Sequence, residues 1–269
     1  MGEERPQISV VVPTRERPQD LQRCLAALEA QSVPVEIVVI EDTEGRGPAW
    51  ARNEGVKRAQ GEVICFTDDD CTPATDWAEA LAAPIFAGEA QATDGRTTMG
   101  ERATAADRAW EAIVSYLQEQ AATPGTASPG FAPTANLACT RSFLEELPFD
   151  ESFPAAAGED RDWAERATRH GARPQFVPEA LVVHKSGLGW RAFLRQQYRY
   201  GRGAARYRTA GEGRGPGSIG FYRGLLRAGF AAGLGAGLLV CAAQLSTAAG
   251  ATRESAKMRL YDDRSRTRR

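Results

Sequence analysis

The chain has 269 residues, 42% apolar and 25% charged, a balance that suits one large globular α/β domain with or without an appendage and excludes a small stapled scaffold. Its net charge of −2 conceals an asymmetry: residues 185–269 hold 17 Lys and Arg against 4 Asp and Glu, a balance of +13 that leaves −15 on residues 1–184. A basic segment of this kind meets a polyanion, either a nucleic acid or an anionic membrane surface. Five cysteines, odd in number and without a CxxC pair, fit a reducing compartment and no zinc site. The N-terminus passes into a strand without the apolar stretch of an export signal, so a cytoplasmic location is expected.

In chain order, Ile8–Pro13 reads as a strand, and Pro18–Gln31 carries Leu21, Cys24, Leu25 and Leu28 at helical spacing. The pattern then repeats: Glu36–Ile40 is a strand, Pro48–Ala59 a helix and Glu62–Thr67 a third strand. Strands alternating with helices at this spacing predict right-handed crossovers and a parallel sheet. The ends of these three strands deliver Thr14-Arg15, Glu41-Asp42 and Asp68–Asp70 to one rim, where open α/β sheets bind nucleotides. No GxGxxG or GxxxxGK[ST] is present, which disfavours dinucleotide and P-loop chemistry.

The triplet Asp68-Asp69-Asp70 follows the apolar run Val63–Thr67. Three adjacent carboxylates repel unless a cation sits among them, and a hard divalent cation that also binds substrate phosphates is the natural occupant. The alternative is a solvated acidic turn capping a helix begun near Pro73. Residues 121–134, AATPGTASPGFAPT, cannot build a core and read as a loop bordering a second site or as a plain connector. Further on, Arg191, Arg195, Arg199, Arg202 and Arg206 recur on one helical face, a repulsive arrangement unless an anion neutralises it. Residues 228–251 contain no charge and lie between Arg223, Arg227, Arg253 and Lys257. The stretch is long enough to span a bilayer but rich in Ala and Gly; an interfacial helix over 220–257, or a helix packed on the domain or on a second copy in a homodimer, remain open beside it.

VVVPTRERP (10–18), VVIED (38–42), ARNEG (51–55) and FTDDDC (66–71) together resemble the nucleotide-sugar half of a family 2 glycosyltransferase of the GT-A fold. Gly158–Trp163 is similar to the family's ED motif, Leu181–His184 to the strand ending in its metal-binding histidine, and Gln196–Tyr200 to its QxxRW element. The resemblance covers roughly residues 7–208 and lies in the order of the motifs. It implies a GT-A domain over 1–208, with a nucleotide-sugar half at about 7–100 and an acceptor half at about 101–208. A helical extension with a flexible basic tail follows over 209–269.

The same resemblance implies inverting, metal-dependent transfer from a nucleoside diphosphate sugar, by default a UDP-sugar, to an acceptor hydroxyl on a small molecule, lipid-linked group or glycan. Asp70 and His184 would hold Mn2+ or Mg2+, with Asp68 and Asp69 beside the ribose or metal. Asp160 would be the base, with Glu159 its rival. Thr14, Arg15, Asp42 and Arg52 would border the nucleotide, and Gln196, Arg199 and Tyr200 the diphosphate or acceptor. Tyr200 stands where processive polymerases carry tryptophan, which implies single additions. The alternatives are an inactive sugar-nucleotide-binding relative and a nucleotidyltransferase; the latter would want a glycine-rich loop where Pro13–Arg17 has none. Nucleic-acid binding would need the basic face to act alone.

Overall fold

A computed structural model describes residues 6–100, 103–122, 131–153, 158–185, 187–209 and 217–266, and no side chain of 207–209 or 260–266. Most of the loop expected over 121–134, at 123–130, and the end of the basic tail, at 267–269, lie outside the described residues. The chain divides into two compact units, one formed by residues 1–101 and 117–186, the other by 102–116 and 187–269.

The first unit opens with the expected alternation: β1 (Ile8–Thr14), α1 (Pro18–Glu29), β2 (Val35–Glu41), α2 (Pro48–Arg58) and β3 (Val63–Phe66). It continues through β4 (Cys71–Pro73), α3 (Trp77–Phe86) and β5 (Ala92–Met99). After the end of α4 (Ala105–Ala122) come β6 (Leu137–Thr140), α5 (Arg141–Glu146), α6 (Glu159–Arg169) and β7 (Gln175–His184). The seven strands form one sheet in the order β2-β1-β3-β6-β5-β7-β4. β1 is parallel to β2 and β3, and β5 to β7; β6 and β4 run against their neighbours, so the sheet is mostly parallel. Pro73 ends a three-residue strand instead of opening a helix, which begins only at Trp77.

Alternation along β1 sends Val10 and Val12 into one apolar layer, with Cys24 and Leu28 of α1 and Trp77 and Leu81 of α3. Val11 faces the opposite layer, built on Phe66, Leu137, Phe149 and Trp163. Gly55 lets α2 lie directly on β1, because a Cβ there would fall inside the Val11 side chain.

The second unit contains the first turns of α4, with α7 (Trp190–Thr209), α8 (Ile219–Ala231) and α9 (Leu234–Arg266), around Phe193, Leu225, Ala236, Val240 and Ala243. The single helix expected over 220–257 is two helices. The chain turns at Gly233, whose φ of +123° disfavours any side chain, and Gly229 and Gly237 bring α8 and α9 into close contact. Two of the arginines on α7 are neutralised internally: Arg202 and Arg206 each donate from Nε to the Glu254 carboxylate at 2.7 Å. Burial pushes the Glu254 carboxyl up, but these two arginines outweigh it and hold it below the usual glutamate range.

Candidate active site

The acidic triplet leaves the end of β3, and the register of β4 on β7 places Cys71 opposite His184. Nε2 of His184 therefore lies 3.4 Å from Oδ1 of Asp70, an oxygen that is buried and, among the described residues, accepts no hydrogen bond. Asp70, Cys71 and His184 each bring one potential ligand atom within 4.8 Å of the others. Burial, followed by the nearby Asp68 and Asp70 charges, pushes the Cys71 thiol well above its ordinary value. A thiol is a soft donor, poorly matched to a hard cation, so Asp70 and His184 are the oxygen–nitrogen pair that would hold Mg2+ or Mn2+. Burial and the Asp68 charge also raise the Asp70 carboxyl, against the pull of His184 and Arg17. A second cation would relieve that cost.

Arg17 is a residue the motif pattern did not single out. Its Nη1 stands 2.7 Å from Asp70 Oδ2 and 3.2 Å from Asp69 Oδ1, placing a guanidinium against the triplet. Burial would lower the Arg17 pKa, but Asp70 and Asp69 hold it above its usual value. Asp69 is fixed from the other side by the Thr14 hydroxyl, which donates to Oδ2 at 2.7 Å. Thr14, Asp69, Asp70, Arg17 and His184 thus form one connected group.

Two polar residues of the Ala51–Gly55 segment, Arg52 and Asn53, have distinct tasks. Arg52, 4% exposed, divides its guanidinium between Asp68 Oδ1 and Glu159 Oε1, both at 3.1 Å, above the Phe149 ring. Asn53 donates from Nδ2 to the Phe149 carbonyl at 2.9 Å and to Glu151 Oε1 at 2.8 Å, and its Oδ1 accepts the Phe149 N–H. These bonds hold residues 149–151 against α2. Arg52, expected at the nucleotide, joins the triplet to the start of α6.

Helix α6 begins after Gly158, whose φ is +103°. Glu159 is buried; its Oε1 meets Arg52 and its Oε2 has no hydrogen-bond partner. Burial first, and the Asp160 charge second, push its carboxyl up to about 7. Asp160 is half-buried and accepts the Arg161 N–H at Oδ1, 2.7 Å away. Among the described residues its Oδ2 has no partner, and burial raises its carboxyl despite the Arg161 amide and Arg52. Two neighbouring carboxyls with raised pKa at a helix start have the chemistry that proton transfer to or from a substrate requires.

Asp42 accepts the N–H groups of Arg46 and Gly47, both at 2.8 Å, and so shapes the loop after β2. Burial raises its carboxyl, but these amides and the Arg15 charge bring it below the ordinary range. The Arg15 guanidinium lies against Gly45 of the same loop. Asn136 is fully buried: it accepts from Trp77 Nε1 and donates to the carbonyls of Arg96 and Ala180, a structural knot between α3, β5 and β7. Of the site residues expected from sequence in the first unit, Thr14, Asp69, Asp70 and His184 gather in one group and Asp68, Arg52, Glu159 and Asp160 in a second joined to it through the triplet, while Arg15 and Asp42 stand apart at the loop after β2. Gln196, Arg199 and Tyr200 belong to α7 in the second unit, where Gln196 Nε2 donates to the Tyr200 hydroxyl at 2.9 Å.

The model of the family described as Glycosyl transferase family 2 matches residues 36–134, the segment that carries Asp42, Arg52 and the triplet. Beyond it, a pre-mycofactocin glycosyltransferase of Mycobacterium tuberculosis is 27% identical over 221 residues, covering 74% of this chain and 47% of that protein. The chain thus spans about half the length of this relative. Glycosyltransferase AglE of Haloferax volcanii is 24% identical over 229 residues, covering 74% of this chain and 73% of its own length. Among solved structures, mannosyltransferase PcManGT of Pyrobaculum calidifontis, in complex with GDP-Man and Mn2+, superposes with a TM-score of 0.54 at 21% identity, over 97% of this chain and 81% of that one. The mostly parallel sheet with its flanking helices has the GT-A fold of that structural neighbour.

Proposed function

We infer that the chain transfers a sugar from a nucleoside diphosphate sugar to an acceptor hydroxyl, with inversion and with a divalent metal held by Asp70 and His184. The observation that carries this reading is the convergence of an unpartnered, buried Asp70 oxygen beside His184 with the carboxyl pair Glu159–Asp160, joined through Asp68 and Arg52. Bound there, Mg2+ or Mn2+ would supply Lewis-acid charge to a diphosphate leaving group. Arg17 and Arg15 would add positive charge on the donor side, and Thr14 keeps Asp69 oriented. Asp42 and its loop would border the base, with UDP as the default nucleotide.

Asp160 is the base in this reading, because among the described residues its Oδ2 accepts no bond and its raised pKa suits it to take a hydroxyl proton. Glu159, held by Arg52, orients it and sets its charge environment. Gln196, Arg199 and Tyr200 would meet the diphosphate or acceptor. The protein would work in the cytoplasm on one sugar per encounter, at the inner face of a membrane.

The test is Asp160→Asn, measured for turnover and donor affinity on the same protein. Transfer should fall by roughly 100-fold to 10,000-fold with nucleotide affinity nearly unchanged, and Glu159→Gln should do less. An α-linked donor should yield a β-linked product. Near-normal turnover in Asp160→Asn, or an α-linked product, would overturn the reading.

A further inference from the structure

The second unit has an apolar end and, below it, a basic belt in which Leu245 (75%) is also exposed. α7 and α9 run parallel, with Leu194 beside Ser246 and Arg202 beside Glu254. α8 runs against α9, with Gly229 against Val240 and Phe230 against Gly237. The end at the α8–α9 turn exposes Phe230 (44%), Leu234 (72%) and Leu238 (58%). No charged residue occurs between Arg227 and Arg253 on these two helices.

One to two turns below that tip, the surface changes. Trp190, 56% exposed at the start of α7, carries the Arg191 guanidinium 5.0 Å from its ring. Arg191 and Arg195 with Trp190, Leu194, Tyr198 and Ser246 line an open groove of about 370 Å³. From the contacts above, these two arginines lie level with residues 243–247 of α9, and Arg223 and Arg227 of α8 level with residues 240–246. All four are exposed, and none pairs with a carboxylate among the described residues. The α4 acids in this unit do not cancel them: Asp107 is buried and caps the Thr104 N–H, and Glu111 is half-buried. An apolar tip above a belt of free guanidinium groups, with a tryptophan at the boundary, is complementary to a bilayer surface rich in anionic headgroups.

We propose that the second unit docks tip-first on an anionic membrane, inserting Phe230, Leu234 and Leu238 while Arg191, Arg195, Arg223 and Arg227 meet the headgroups. From Leu234 to Val240 the helix rises roughly 9 Å at about 1.5 Å per residue, the depth at which interfacial helices bury their apolar faces. Within Leu234–Arg259 an 18-residue window has a mean hydropathy of 1.5, so the helix is long and apolar enough to cross a bilayer. The arginine belt halfway along it would stop such a crossing. The other end is closed by a paired cluster in which the buried Glu254 carboxylate meets the part-exposed Arg202 and Arg206. This deepens the membrane-surface part of the reading above, yet rests on the second unit alone and stands apart from sugar transfer.

The experiment is vesicle flotation of the full chain, with phosphatidylcholine vesicles and with vesicles containing one quarter phosphatidylglycerol. The chain should float with the anionic vesicles, less so as salt rises. Arg191→Glu with Arg195→Glu should weaken this by about 25-fold or more, at about fivefold per basic group near the surface. Leu234→Glu with Leu238→Glu should abolish it. Both pairs are exposed, so circular dichroism and nucleotide binding should match the parent chain. A fluorescent label on Leu234→Cys, in a Cys241→Ser background, should shift to the blue on binding, and the same label on Thr252→Cys should not. Absence of flotation, or flotation unchanged by both pairs, would overturn the proposal. So would a blue shift at both labels, the mark of a helix lying flat, or a dimer that Leu234→Glu with Leu238→Glu dissolves without any vesicle binding, which would assign the tip to a second copy.

Discussion

Arg52→Met tests the link between the acidic triplet and α6. The guanidinium it removes makes two ion pairs of 3.1 Å from a position 4% exposed, one to a nearly inaccessible Glu159 and one to a third-exposed Asp68. Removing one partner of a buried pair costs about 3–5 kcal/mol, because the other charge is left uncompensated. Water screens the Asp68 side, so most of that cost falls on Glu159. Glu159 can escape it by taking a proton. Its carboxyl stands at about 7 even with Arg52 present, and goes higher without it. A carboxyl raised from 4.5 to about 7 by burial favours the folded state most below its unfolded value and loses that contribution as pH rises through about 7. The penalty of Arg52→Met must therefore be larger above pH 7 than below it. At about 2–4 °C per kcal/mol for a domain of this size, the melting temperature should drop by about 6–20 °C near pH 8.5 and by less than half as much near pH 5.5. Adding Glu159→Gln should recover most of the loss. Calorimetric melts at both pH values decide it: a drop equal at both, or a variant within about 2 °C of the parent at both, would refute the argument.

Gly55→Ala gains up to about 1 kcal/mol of helix propensity but forces a methyl into Val11, so a net loss of about 1–2 kcal/mol is expected in a denaturation midpoint. A stabilised variant would mean that α2 can lift from β1. Glu254→Gln should cost about 1.5–3 kcal/mol at neutral pH through its bonds to Arg202 and Arg206. Because these arginines lower the Glu254 pKa, its contribution is present above the unfolded value and lost as pH falls through the folded one. The difference between variant and parent should thus vanish in acid; a pH-independent gap in urea melts would assign the loss to packing.

The strands and helices from Ile8 to Phe66 were legible because their apolar residues repeat with periods of two and 3.6, and the triplet was legible because three bare carboxylates need an explanation. His184 could be found only through the order of motifs, since the antiparallel pairing that brings it to Asp70 joins residues more than a hundred positions apart. Three-residue β4 and four-residue β6 are too short for a period to declare itself, which is why Pro73 read as a helix start. Arg17 is a charged turn residue with no pattern around it, and Arg52 sits on a helix whose sequence fixes its side but not what it meets there. The Gly233 turn was hidden in a run already rich in glycine, and the partner of Arg202 and Arg206 lies about fifty residues away in sequence. Long-range polar pairing, unlike periodicity, leaves no trace in a single sequence.

The most direct measurement of the central claim is nucleotide binding with and without metal. UDP and GDP at about 100 times their dissociation constant should stabilise the chain by roughly 2.7 kcal/mol, or about 5–11 °C, when Mn2+ is present and far less in chelator. Asp70→Ala and His184→Ala should each remove the metal-dependent part. Equal stabilisation with and without Mn2+ in the parent chain, or a metal effect that survives in both variants, would contradict the assignment of this site.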